Sequence, residues 1–126
     1  YTLASALRKD LNRVAKEMTK EQISEAKKLA QQMQDAEQVR WHRQAAERGD
    51  AKAQSELGRM YHLGKGVPKD EVQAYFWFNL AAALGDRNGL LYKPSVSKRL
   101  TPAQLAEARR LTREWLAKRE QYRHLA

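Results

Sequence analysis

The chain has no cysteine, three prolines and six glycines among 126 residues. Lack of cysteine excludes disulfides and thiolate metal sites but leaves the redox compartment undecided. No run approaches the roughly 20 apolar residues that a membrane-spanning helix needs. No secretory leader pattern is visible either, an absence of little weight because the sequence starts at Tyr1 without a methionine. Acidic residues are scarce beside basic ones, 15 against 24, which gives a formal charge of +9. Motifs of catalysis are also missing. His42, His62 and His124 stand on separate segments with no metal-ligand spacing, and there is no G-x-S-x-G, phosphate-loop or dinucleotide fingerprint. Gly64-Lys65-Gly66 is glycine-rich but reads as a helix-to-helix turn. No acid, base and nucleophile set can be assembled, so the chain reads as a non-enzyme with no cofactor and no metal.

What is abundant is Ala, Leu, Glu, Lys, Arg and Gln, the helix formers, and with few breakers this predicts an all-α fold. At 42% apolar residues and a mean hydropathy of −0.83, the chain suits one domain with a real core of modest size. Within it, Trp41, Ala45, Ala46, Gly49 and Asp50 recur 36 positions later as Trp77, Ala81, Ala82, Gly85 and Asp86. A period in this range is the signature of stacked helix pairs that bury their apolar faces on one another. Between the copies, Ala53, Leu57, Met60 and Tyr61 mark one helix face, and Ala53 and Gly58 permit close approach of another helix. Gly64 and Gly66 end that helix, Pro68 fits the extended turn, and Asp70 with Gln73 forms a capping-box-like start to the next. The core face of this next helix is Ala74, Trp77, Phe78 and Ala81. Both Trp41 and Trp77 read as packing residues, because they repeat with the structural period.

The string Ala53, Leu57-Gly58, Met60-Tyr61, Gly64-Lys65-Gly66-Val67, Asp70, Ala74, Trp77, Ala81-Ala82 and Gly85-Asp86 resembles a Sel-1-like repeat, a relative of the tetratricopeptide helix pair. The resemblance proper covers Trp41 to Asp86, with one complete repeat. It implies an α/α superhelix, a right-handed solenoid of antiparallel helix pairs, and adaptor work through a concave surface. The family's cysteine-rich branch staples its pairs with disulfides, and nothing of that branch carries over to this chain.

Two further duplications flank the repeat. Tyr1 to Leu7 resembles Phe78 to Leu84, 77 positions later, and Met18 to Leu29 matches Leu100 to Leu111, 82 positions later. Thr19 with Gln22 and Thr101 with Gln104 have capping-box spacing, and Pro102 stands at a first helical position. Ile23, Ala26, Leu29, Ala30 and Met33, like Leu105, Ala108, Leu111 and Trp115, recur at three and four. The five extra residues of the second copy fall in Asn88 to Ser95, expected as a loop with a short helical turn near 94–99. The first copy reads instead as continuous helix from Arg8 to Lys16. Expected helices are 1–16, 20–35, 37–48, 51–63, 71–84 and 102–123, arranged as three segments: 1–36, 37–86 and 87–126. A start partway through a repeat helix makes the chain read as a fragment of a longer repeat protein, unless the match is coincidence in an alanine-rich helix. An exposed N-terminal edge would then drive self-association.

Charge is uneven: ten basic against seven acidic residues through Arg48, four against five from Gly49 to Asp86, and ten against three from Arg87. The basic C-terminal segment, with Arg109, Arg110 and Arg113 at its centre, suits electrostatic binding of nucleic acid or anionic membrane, or is simply a solvated polar cap. Aromatics are not interleaved with it as a single-strand-binding surface requires. The favoured reading is a bacterial-type scaffold or adaptor for a protein or peptide partner. Its candidate residues, Lys52, Ser55, Arg59 and His62, form a stripe beside the core face of the repeat's first helix; ordinary solvent exposure is the competing reading. Compartment and partner identity are not written in the chain.

Overall fold

Helices account for all regular structure among the described residues of this computed structural model, which are residues 2–125, without the side chains at 15 and 122–125. Tyr1 of the first duplication lies outside them, as do the side chains of Arg123 and His124. The elements are α1 (Leu3–Glu17), α2 (Lys20–Glu47), α3 (Ala51–Leu63), α4 (Glu71–Ala83), α5 (Arg87–Ser97) and α6 (Pro102–Leu125). The chain divides into two compact units, Tyr1–Gln34 and Asp35–Ala126.

In the first unit the Thr2 hydroxyl accepts from Ser5 N at 3.2 Å and starts α1. The helix then runs unbroken to Glu17, so the continuous helix expected over 8–16 is present. Thr19 and Gln22 close the expected capping box: Gln22 N donates to Thr19 Oγ1 at 3.2 Å and Thr19 N to Gln22 Oε1 at 2.9 Å. The helices expected over 20–35 and 37–48 are one helix. Between them stand Asp35, Ala36 and Glu37, with neither the glycine that ends a helix nor a proline, so the ladder continues.

The second unit is built on α4, against which α3, α5 and α6 all pack. Gly49, at φ 99°, turns the chain out of α2, and Asp50 caps α3 by accepting from Ala53 N at 3.1 Å. Gly64 at φ 69° closes α3 in the left-handed conformation that costs glycine nothing. Asp70 caps α4 through Val72 N and Gln73 N, both at 3.1 Å. The reciprocal half of the capping box expected there is absent, because Asp70 N donates to the Tyr61 carbonyl of α3 at 3.0 Å instead. Of the core faces read from periodicity, Ala53, Leu57 and Met60 of α3 and Ala74, Trp77, Phe78 and Ala81 of α4 are buried, joined by Tyr75, Phe76 and Leu80, while Tyr61 is half-buried against them.

The segment expected as a loop over 88–95 is helical. Asp86 stands 36 residues after Asp50 and repeats its work, accepting from Gly89 N at 3.2 Å to start α5. Gly89 is a contact residue rather than a turn residue: a Cβ on it would lie 2.5 Å from the Phe78 carbonyl oxygen and 2.8 Å from Ala82 N. The short helix expected near 94–99 is the end of α5, with Pro94 inside it. Pro102 opens α6 as expected, and Thr101 and Gln104 repeat the reciprocal cap at 3.1 and 2.9 Å.

Two substitutions test this packing. Gly58 faces the Phe78 ring, where a Cβ would sit 2.9 Å from two ring carbons. Helix propensity alone favours alanine by about 1 kcal/mol, whereas overpacking costs about 1–3 kcal/mol. Gly58→Ala should therefore be near neutral or mildly destabilising, because a ring can shift. Gly89→Ala, which meets backbone, should lose about 2 kcal/mol or more in urea unfolding.

Candidate partner-binding groove

A groove runs between the C-terminal half of α2 and the length of α3. One end is walled by Trp41, His42, Asp50, Lys52, Ala53 and Glu56 and encloses about 330 Å³. The other end, about 200 Å³, is lined by Gln38, His42, Glu56, Arg59, Met60, Leu63 and Lys65. His42 and Glu56 line both, so the two hollows adjoin along α3.

Local chemistry holds the walls in place. Gln54, wholly buried, donates from Nε2 to the Ala46 carbonyl at 3.0 Å and ties α3 to the end of α2. Arg43 donates to the Tyr61 hydroxyl and lies 5.9 Å from that ring's centroid. At the turn after α3, a Cβ on Gly66 would lie 2.5 Å from the Asp35 carbonyl oxygen, and Lys65 Nζ stands 3.9 Å from Asp35 Oδ1. Only glycine allows that approach, next to Lys65 of the groove wall.

Trp41 is 66% exposed, whereas Trp77 is 6% exposed. The reading of both as packing residues is therefore corrected for Trp41: α4 has three helices packed on it, while the Trp41 ring looks into the groove. It meets the His42 ring edge-on, with centroids 5.0 Å apart and planes at 78°. His42 Nδ1 is buried without a hydrogen-bond partner among the described residues.

Of the stripe read from sequence, Lys52 and Arg59 line the groove and are exposed. Arg59 Nη1 lies 3.6 Å from Glu56 Oε2, one turn back on the same wall. Ser55 is 2% exposed, and its hydroxyl donates back to the Lys52 carbonyl at 3.0 Å, so it offers a partner nothing. Glu56 holds the place on the wall that helical spacing assigns to Ser55. His62 is not a wall residue. Its Nδ1 meets Glu71 Oε2 at 3.0 Å, with Lys69 Nζ at 3.7 Å and Arg99 Nη1 at 3.9 Å from Glu71 Oε1, an ionic knot joining α3, α4 and the approach to α6. Sequence reasoning missed Trp41, His42 and Gln38, since the period pointed the tryptophan inward.

On α6, Arg109 and Arg113 are exposed, but Arg110 is engaged. It donates to Glu107 through Nε at 3.0 Å and Nη2 at 2.5 Å, and through Nη1 to Glu114. The basic patch therefore has one of its three cations already paired twice. Among the described residues no group of three or more His, Asp or Glu could hold a metal ion, and no helix is long and apolar enough to cross a membrane.

The sequence signature of the Sel1 repeat matches residues 39–50 and 51–86. The fold is similar to the crystal structure of c5321, a protective antigen present in uropathogenic Escherichia coli strains displaying an SLR fold. The TM-score is 0.64 at 35% identity over 67% of this chain, which spans 18% of that protein's length. Among curated proteins none matches.

The Arg110 side chain, by hydrogen bonding, holds the Glu107 carboxyl below its ordinary range. The pair's contribution to α6 is therefore fully present above the ordinary carboxylate pKa and is lost as pH falls through the lowered value. An NMR titration of Glu107 should show that low midpoint, and Arg110→Ala should move it up toward an ordinary carboxylate.

Proposed function

We propose that this chain, which carries the Sel1 repeat over residues 39–86 and has an all-α, solenoid fold, is a non-enzymatic scaffold binding a protein or peptide along the α2–α3 groove. Sel1 repeats generally serve protein–protein interaction and not catalysis. The observation that carries the reading to this surface is Trp41, two-thirds exposed at one of two adjoining hollows, with Lys52, Arg59 and Lys65 among their lining residues.

Trp and Arg are the residue types that dominate binding energy at interfaces. Here the tryptophan supplies apolar area at one end, beside Lys52, and Arg59 and Lys65 face the other. A peptide with an aliphatic or aromatic side chain followed by acidic residues matches both ends. Its apolar group sits against Trp41, His42 and Ala53, and its carboxylates meet Arg59 and Lys65. The buried, unpaired His42 Nδ1 lies where the two ends join.

Electrostatic binding of nucleic acid or anionic membrane by Arg109, Arg110 and Arg113 is the alternative, weakened by the double pairing of Arg110. One experiment separates the two. Peptides selected from an array for binding the chain should lose about tenfold or more in affinity with Trp41→Ala, as loss of an interface anchor does. They should also weaken with Arg59→Glu and be indifferent to Arg109→Glu with Arg113→Glu. The opposite pattern, with affinity falling steeply in salt, would replace the groove with the basic face of α6.

A further inference from the structure

Residues 1–34 carry two sequence patterns that recur in the second unit, and the two copies are left in different states. Leu3 and Ala4 correspond to Leu80 and Ala81, 77 positions on; Leu29 and Met33 correspond to Leu111 and Trp115, 82 positions on. In the second unit the two patterns meet. There α6 packs on α4, Asn79 Nδ2 donates to Thr112 Oγ1 at 3.1 Å across the junction, and Leu80, Ala81 and Ala108 are fully buried. In the first unit the same faces lie open: Leu3 is 78% exposed, Leu7 53%, Leu29 52% and Met33 72%. Leu11 and Val14 extend the open stripe along α1.

The connection explains the difference. After α4 the chain turns at Gly85, with φ 98°, and α5 carries it back so that α6 lies along α4. Arg8 stands where Gly85 would be, so α1 runs straight on to Glu17, and only Met18 and Thr19 separate it from α2. A helix of the α4 kind and a helix of the α6 kind are thus present in one unit without covering each other.

We infer that the first unit is a dimerisation element: α1 of one copy packs on the N-terminal half of α2 of a second copy, and reciprocally. This makes in trans the α4–α6 interface that the chain already makes in cis. The occupant of the open face is specified by that existing interface. The stripe on α2 repeats the one that seats on α4, α1 repeats the end of α4, and a second copy supplies each to the other. Such a contact is isologous and closes on itself as a two-fold dimer. It draws on none of the groove residues, so it stands or falls separately from the peptide-binding reading.

The absence of cysteine makes the test clean. Thr2 and Ala30 correspond to Asn79 and Thr112, the hydrogen-bonded pair of the cis interface. Light scattering of the 126-residue chain should give twice its 14.6 kDa mass, and Leu7→Glu with Met33→Glu should halve it, with the thermal transition of the second unit retained. In an equimolar mixture of Thr2→Cys and Ala30→Cys chains, a short bis-maleimide should join one chain to the other. The chain carrying both cysteines should likewise give cross-linked dimers. A monomer mass at every soluble concentration, or a link confined to a single chain in the double variant, would overturn the inference.

Discussion

Phe78 is the residue on which the second unit depends. Its ring lies against Gly58 of α3 and its carbonyl against Gly89 of α5, so that a methyl group would have to displace the ring at the first place and would meet fixed backbone at the second. The Tyr92 ring, 5.2 Å away, closes the remaining side. Each interior glycine costs a helix about 1 kcal/mol relative to alanine, while burying a side chain the size of Phe78, Leu57 or Leu80 contributes about 1.5–3 kcal/mol. Close approach at two points therefore more than offsets two weak helix positions, and it fixes α3 and α5 on α4. The groove inherits its shape from this, since α3 forms one of its walls.

The periodic features of the fold were legible because the period itself is enforced by local chemistry. Gly49 and Gly85 turn the chain at φ 99° and 98°, and Asp50 and Asp86 cap the helices that begin after them. Helix faces, the glycine end of α3 and both capping boxes could be read from residue type and spacing alone. The misread segments share a cause. Gly89 and Pro94 looked like loop residues because breakers usually serve backbone conformation, yet Gly89 is required by a neighbouring helix that local pattern cannot display. The division of α2 at 36 likewise followed the repeat boundary, where nothing in the residues breaks a helix.

For the candidate site, the chain told which helix would offer a surface but not which residues lie open on it. Lys52 and Arg59 were placed by helical spacing, while Ser55 and His62, on the same arc, are consumed by the Lys52 carbonyl and by Glu71. The other wall comes from Gln38, Trp41 and His42 of α2, which the spacing along α3 does not display. The pairing of Arg110 with Glu107 and Glu114 was in principle readable, since the three are spaced i,i+3 and i,i+4 on one helix.

Trp41 and Trp77 hold the same place in the 36-residue period, and their different exposure shows what a repeat does and does not determine. The period fixes where the ring projects; the number of helices around it fixes whether the ring becomes core or surface. At Trp77 the neighbours are present and the ring stabilises the fold. At Trp41 those neighbours are missing and two-thirds of the residue faces solvent, with only the His42 ring set edge-on beside it, so the same sequence position costs the fold what it yields at Trp77.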